Sequence, residues 1–436
     1  MTRLFRGTLL HVPDDPFAEQ GGGAKRLHLV EDGALAVRSG RIVDAGDATA
    51  VRARNPGAET AVTGGWLLPG FVDAHVHYPQ LGVMGALGLR LMDWLRQRTW
   101  PHEARFADAA FARAEAEGFL AALARNGTTT ALVFGAHQAL AMEEFFAAAD
   151  ASSLRITTGL TLGDRELPSE LRTDPERARQ ESTELLQRWH GHNRLRYAVT
   201  PRFAVSASDE LLATCGALLR GGPDGLWFTT HLNESPDEVA FVRNAAPTAR
   251  DYLDVYDRHG LLGPRSVFAH DVHPSERELA RLAETRSVVC HCPGSNRFIG
   301  SGLFPLRRHL QHGVRLALGS DVGGGPSFLI LNEARAAYET QMQLGEEGVR
   351  LDAATLLWLA TAGGAHALGL GDQVGDFATG KQADLVQLTP RPGGTLDARL
   401  RHAGGADDAA AALIALVGEA DVTGSWVAGR RVYPHQ

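Results

Sequence analysis

Residues 70–80 read GFVDAHVHYPQ, an apolar run that closes on two histidines, His75 and His77, two positions apart. Alternate side chains of a β-strand share a face, so this spacing at a strand's C-terminal end aims both imidazoles at one point. Such an arrangement suits a metal ion, although in a chain with 18 histidines the pair needs partners before it carries meaning.

Seven more short runs follow: GTTTALVFG (127–135), LRITTGLTLGD (154–164), LRYAVTPRF (195–203), LWFTTHLNE (226–234), SVFAHDVH (266–273), SVVCHCP (287–293) and VRLALGSDV (314–322). Runs this brief and rich in Val, Thr, Leu and Phe read as parallel strands covered on both faces. The intervening segments are amphipathic and rich in Ala, Glu and Arg. Capping-box patterns open three of them, at Ser235-Pro-Asp-Glu238, Ser275-Glu-Arg-Glu278 and Thr173-Asp-Pro-Glu176. Eight strand-then-helix units predict an α/β fold, a (β/α)8 TIM-type barrel over 67–372, with an open doubly wound sheet as the alternative because strand count does not establish closure. The ends differ in style. Alternating segments such as ALAVRSGRIVDAG in 1–66, and ADLVQLTP and GSWVAGRRVY in 373–436, predict one small β-sandwich domain built from both termini. Gly21-Gly-Gly23 reads as a loop, since no strand, Lys and Ser/Thr stand in the order of a phosphate cradle.

Composition narrows the function. With 436 residues and 44% hydrophobic content the chain can bury a large core. A net charge of -8 offers no basic field to a polyanion, so the expected partner is a small molecule and not a nucleic acid. Cys215, Cys290 and Cys292 are too few for a disulfide framework and point to a reducing, cytoplasmic setting. No window approaches eighteen uninterrupted apolar residues, so no membrane span is expected.

Barrel enzymes gather their chemistry at the C-terminal ends of the strands. The polar residues there are His75 and His77 on the first run, Arg202 beside Phe203 on the fourth, His231 and Glu234 on the fifth, His270 on the sixth and Asp321 on the eighth. Three histidines and an aspartate, His75, His77, His231 and Asp321, form a nitrogen-rich set suited to Zn2+, with Fe2+ also accepted. Glu234, three residues past a ligand, is placed to move a proton. Taken singly, His270 also fits a core histidine, Arg202 a partner of some carboxylate at the rim, and Phe203 a core residue. His137 and His291 stand at strand ends too. The Cys290-His-Cys292 triplet reads as buried free thiols, because no second cluster completes a zinc site. The only lysines, Lys25 and Lys381, fall outside 67–372, which excludes a lysine-bridged metal pair and Schiff-base chemistry in the barrel; one metal per subunit follows.

With these residues placed, the chain resembles the amidohydrolase-superfamily deaminases and is most similar to their guanine deaminase branch. The resemblance rests on PGFVDAHVH, HYPQ ending at Gln80, LMDWLRQRTWPHE (91–103), TPRF (200–203), HLNE (231–234) and SDVGGGPSF (320–328). It implies hydrolysis of guanine to xanthine and ammonia in purine breakdown and salvage, by a cytoplasmic homodimer. It also implies zinc on His75, His77, His231 and Asp321, and acid/base work by Glu234, Asp321 and His270. For the purine it implies recognition by Gln80, Arg202 and Phe203, with His231, Glu234, His270 and Asp321 also touching the substrate. In this scheme water adds at C2, Glu234 protonates the neighbouring ring nitrogen and Asp321 takes the water's proton. Three positions depart from the family's usual pattern: Asn233, Asp271 and Gly294. A loop carboxylate at 271 raises the alternative of another aminoheterocycle, such as 8-oxoguanine, a pterin, an adenosine derivative or an aminotriazine. A catalytically inactive metal-binding scaffold is disfavoured because Glu234 and Asp321 are both present.

Overall fold

The computed structural model describes residues 1–18 and 27–434; the glycine run at 21–23 and Lys25 lie outside them. Sixteen strands are present among the described residues. Four precede the barrel: β1 (Thr2–His11), β2 (His28–Arg38), β3 (Arg41–Asp47) and β4 (Glu59–Pro69). Nine follow in the barrel region: β5 (Phe71–His77), β6 (Thr128–Phe134), β7 (Arg155–Gly159), β8 (Thr161–Leu162), β9 (Leu195–Pro201), β10 (Trp227–Leu232), β11 (Ser266–His270), β12 (Val288–His291) and β13 (Arg315–Leu318). The chain closes with β14 (Leu385–Leu388), β15 (Val422–Val427) and β16 (Arg430–Tyr433).

The barrel strands run in the order β5-β6-β7-β9-β10-β11-β12-β13, every pair parallel, with β8 continuing the third run against β9. The first and last strands are linked just past the end of β13: Asp321 N donates to His75 O at 2.8 Å and His77 N to Val322 O at 2.9 Å. This closes the circle and removes the open-sheet alternative. β5 is buried along its whole length, as expected of a strand covered on both faces.

Both predicted serine capping boxes form, on the helices Pro236–Ala245 and Glu276–Glu284. At the third site Asp174, not Thr173, is the cap; it accepts from Arg177 N, and Pro175 takes the first helical position. Aspartate suits that task, and proline at the first turn sacrifices no hydrogen bond.

The two termini join as expected, and they do so as one continuous seven-stranded sheet, β16-β15-β14-β4-β1-β2-β3. Phe5 on β1 and Trp426 on β15 are three strand positions apart, roughly 14 Å in a flat sheet, yet their ring centroids are 5.7 Å apart. The sheet therefore curls on itself and encloses its own core of Phe5, Leu35, Val37, Leu67, Leu385 and Trp426. An inter-sheet clamp holds it to the barrel. Arg155 on β7 donates from Nε to Asp384 Oδ2 at 2.6 Å and from Nη2 to Asp384 Oδ1 at 3.1 Å, and all these groups are buried.

Candidate active site

His75 and His77 end β5 with their rings on one side, where β10, β11 and the turn after β13 deliver His231, His270 and Asp321. The His77 Nε2 atom lies 3.2 Å from His75 Nε2, 3.2 Å from His231 Nε2 and 3.1 Å from Asp321 Oδ1; His75 Nε2 is 3.2 Å from the same oxygen. Ligands at the corners of a zinc tetrahedron with bonds of about 2.0–2.1 Å stand about 3.3 Å apart, so the spacing fits one small divalent ion. Ligand atoms of His75, His231, His270 and Asp321 also lie within 4.8 Å of one another, but His270 Nε2 is 3.8 Å from Asp321 Oδ2 and belongs to the outer part of the group. The residues present form a buried three-histidine, one-aspartate centre for a divalent metal.

Protonation favours that role. Burial pushes the His77 imidazole down to about 4 and holds His75 and His231 below their ordinary value as well, so the rings stay neutral and keep a lone pair for a metal. His231 donates Nδ1–H to the Arg202 carbonyl at 2.6 Å, which turns its Nε2 lone pair inward. Burial alone would raise the Asp321 carboxyl, yet the close His75 and His77 rings hold it well below the usual carboxylate range in the metal-free group.

Glu234 stands on the turn between β10 and the helix Pro236–Ala245. Its Oε1 accepts from Ser301 Oγ at 3.2 Å and its Oε2 lies 3.6 Å from His270 Nε2. Burial, reinforced by the charge of Asp321, pushes its carboxyl up to about 8, so near neutrality it carries a proton to give. His270 Nδ1 bonds Asn296 Oδ1 at 2.9 Å, while its Nε2 is buried without a hydrogen-bond partner among the described residues. His270 and Asp321 leave their strands with φ of +75° and +47°. Strain of this kind collects at functional positions and is held by the surrounding packing.

A cavity opens over this group. Leu91, Trp94, Leu95, Phe203 and Ile299 give it apolar walls, and Gln80, Arg202 and Glu234 bring polar atoms to it. Every substrate-contact residue expected from the sequence borders it except His270, which lies deeper in the metal group.

Four buried residues that carry no role in the sequence reading also shape the centre. Asp73 accepts from Ser320 N at 3.0 Å and Ser320 Oγ at 2.5 Å, tying the strand of the histidine pair to the turn that carries Asp321. Its signal was a third same-face polar residue at i−2 from His75. Asn296 and Ser301 hold His270 and Glu234, and Glu103 pairs with Arg202. None of these three stands at a strand end, so position along the chain did not mark them.

The departures find structural reasons. The Asp271 carboxylate is fully buried, accepts from Asn233 Nδ2 at 2.9 Å and meets His309 Nε2 at 2.9 Å. It does not border the cavity. A Cβ at Gly294 would come within 2.4 Å of the Glu333 carboxylate, which accepts from Gly294 N at 2.7 Å and would have to give way to a larger residue. His137 packs beside Glu103, 3.6 Å away. His291 stacks on Phe304 with centroids 4.2 Å apart, and all three cysteines are buried free thiols.

The chain matches the Amidohydrolase family over residues 66–432. The probable guanine deaminase of Deinococcus radiodurans is 54% identical to it, over 100% of this chain and 99% of its own length. The structure of Escherichia coli guanine deaminase superposes with a TM-score of 0.93 at 36% identity, covering 100% of both chains. An adenosine deaminase from Xanthomonas campestris, solved with bound zinc, gives a TM-score of 0.82 at 27% identity over 98% of this chain and 92% of its own.

Proposed function

The chain belongs to the amidohydrolase family, and on that premise we propose that it catalyses the hydrolytic deamination of guanine to xanthine and ammonia, with zinc as its metal. One observation carries the reading: a single cavity brings His77, His231, Asp321 and Glu234 opposite Gln80, Arg202 and Phe203. The relatives named guanine deaminase support the ring, and the zinc in the adenosine deaminase structure supports the metal.

In this reading His75, His77, His231 and Asp321 hold the ion. Zinc so bound supplies a Lewis acid that brings the pKa of water down to about 7. Arg202 and Gln80 donate hydrogen bonds to the O6 and N7 edge of the purine, and Phe203 lies against the flat ring. That grip turns C2 toward the histidines. Glu234, protonated near neutrality, gives its proton to the ring nitrogen beside C2 as the water oxygen adds there. Asp321 receives the proton from the attacking water, and His270 steadies charge from the far side. Asp321 passes that proton to the amino nitrogen, the C2–N bond breaks as ammonia leaves, and the hydroxyl on C2 returns its proton to Glu234 as the carbonyl of xanthine forms. In this reading the barrel over 67–372 is the catalytic domain and the enzyme is a homodimer working in the cytoplasm, a reducing setting with which its buried free thiols agree.

The test is ammonia release from zinc-loaded protein given guanine, 8-oxoguanine, isoxanthopterin, cytosine or adenosine separately. Turnover of guanine with xanthine as product is expected. Inactivity on guanine with turnover of another ring would move the substrate assignment and leave the metal centre standing.

A further inference from the structure

Arg202 and Gln80 are not free-standing. Both are tied to Glu103, a buried carboxylate whose place in the sequence, at the end of LMDWLRQRTWPHE, gives no hint of a partner. Arg202 Nη1 donates to Glu103 Oε1 at 2.9 Å and Oε2 at 2.8 Å, and Gln80 Nε2 donates to Oε1 at 3.0 Å. On its other side the Gln80 amide accepts, at Oε1, from Gly323 N at 3.3 Å. Position 323 must be glycine for that approach, since a Cβ would fall 2.5 Å from Gln80 O.

These contacts fix the chemistry of the wall. An ionised carboxylate only accepts and a backbone N–H only donates, so both neighbours require the same amide orientation at Gln80. Burial would raise the Glu103 carboxyl, but the charges of Arg202 and His137 and the hydrogen bonds from Arg202 and Gln80 together outweigh it and hold the group below the usual carboxylate range. Both residues line the cavity, and the polar hydrogens left outside these contacts are one N–H of Gln80 and those on Nε and Nη2 of Arg202, which make no hydrogen bond among the described residues. Every one of these is a donor.

Resting on the guanine reading above, we infer that Glu103 is a positioning residue that makes this wall donor-only and so selects a purine with oxygen at C6 over one with an amino group there. A 6-oxo purine offers acceptors at both O6 and N7. A 6-amino purine points N–H at N–H, and a site that leaves buried donors unpaired rejects its ligand strongly. With Gln at 103 only the Gly323 N–H, at 3.3 Å, still orients the amide at 80, and giving up that one long bond lets its oxygen turn to the cavity and accept from an amino group.

The experiment compares zinc-loaded wild type and Glu103→Gln on guanine and 2,6-diaminopurine, which share the C2 amino group and differ between oxygen and amino at C6. The ratio of the two kcat/KM values is expected to fall by about tenfold or more in the variant, with the loss on guanine appearing mainly in KM. An unchanged ratio, or an equal drop in kcat on both substrates, would overturn the inference. Should Glu103→Gln not fold, Gln80→Met removes the donor that Glu103 aligns, together with the amide oxygen that accepts from Gly323 N. The ratio must fall there as well, and constancy overturns the inference. Wild type without any guanine turnover would bring down both this inference and the reading it rests on, whereas an active wild type with an unchanged variant ratio fails the inference alone.

Discussion

At the scale of single residues, His77 and His270 present similar sequence signals and different geometry. Both end a barrel strand, but His77 Nε2 sits 3.1–3.2 Å from His75 Nε2, His231 Nε2 and Asp321 Oδ1 while His270 Nε2 stands 3.6 Å from Glu234 and 3.8 Å from Asp321. His77→Ala should therefore yield protein with zinc well below one equivalent after dialysis, measured by elemental analysis. His270→Ala should keep its zinc and lose about 10²–10³ in kcat, the scale of removing one group that stabilises developing charge. A His270→Ala protein purified without metal would reverse the two roles. The HxH spacing was legible because a strand's two-residue period is a local property. The distinction between the two histidines was not, since it depends on where three other strands end.

At the scale of elements, the helix Ile330–Gln343 buries Glu333 against the start of the helix Pro293–Phe298. Burial raises the Glu333 carboxyl from its ordinary 4.5 to about 8, with its Gly294 N–H contact opposing. A raised acid pKa means the folded state keeps a proton that the unfolded chain releases. Stability from this group is thus lost progressively as pH climbs from about 4.5 to about 8, and levels beyond. Glu333→Gln should flatten that part of the melting-temperature profile and melt higher than wild type near pH 8, as followed by circular dichroism. A variant profile parallel to wild type would show that Glu333 titrates normally. Elements themselves were the most legible level: all eight runs became barrel strands and both serine capping boxes formed, because capping and periodicity act over three or four residues. The shift from Thr173 to Asp174 shows the limit, since two adjacent capping residues compete and the proline settles the register.

For the whole molecule, the Arg155–Asp384 clamp joins a barrel strand to the segment leading into β14, and Asp384 also accepts from Ala428 N at 2.7 Å. Removing one partner leaves a buried charge uncompensated, so Arg155→Ala should cost about 3–5 kcal/mol in urea unfolding, against little change for an exposed pair such as Arg179–Glu176. Equal effects would mean the clamp adds nothing to the joining of sheet and barrel. The sequence by itself determined the strands, most helix starts, the histidine pair and the aspartate after the last strand, together with the absence of a barrel lysine. Each of these is written in residue type and short-range spacing. Tertiary structure alone decided that the barrel closes, that the terminal strands form one curled sheet, that Asp271 turns from the cavity to Asn233 and His309, and that Glu103 meets Gln80 and Arg202. The physical reason is that those side chains lie tens of residues apart along the chain. Desolvation makes a buried charge seek a partner, and which partner stands within 3 Å is set only once the strands have taken their places around the barrel.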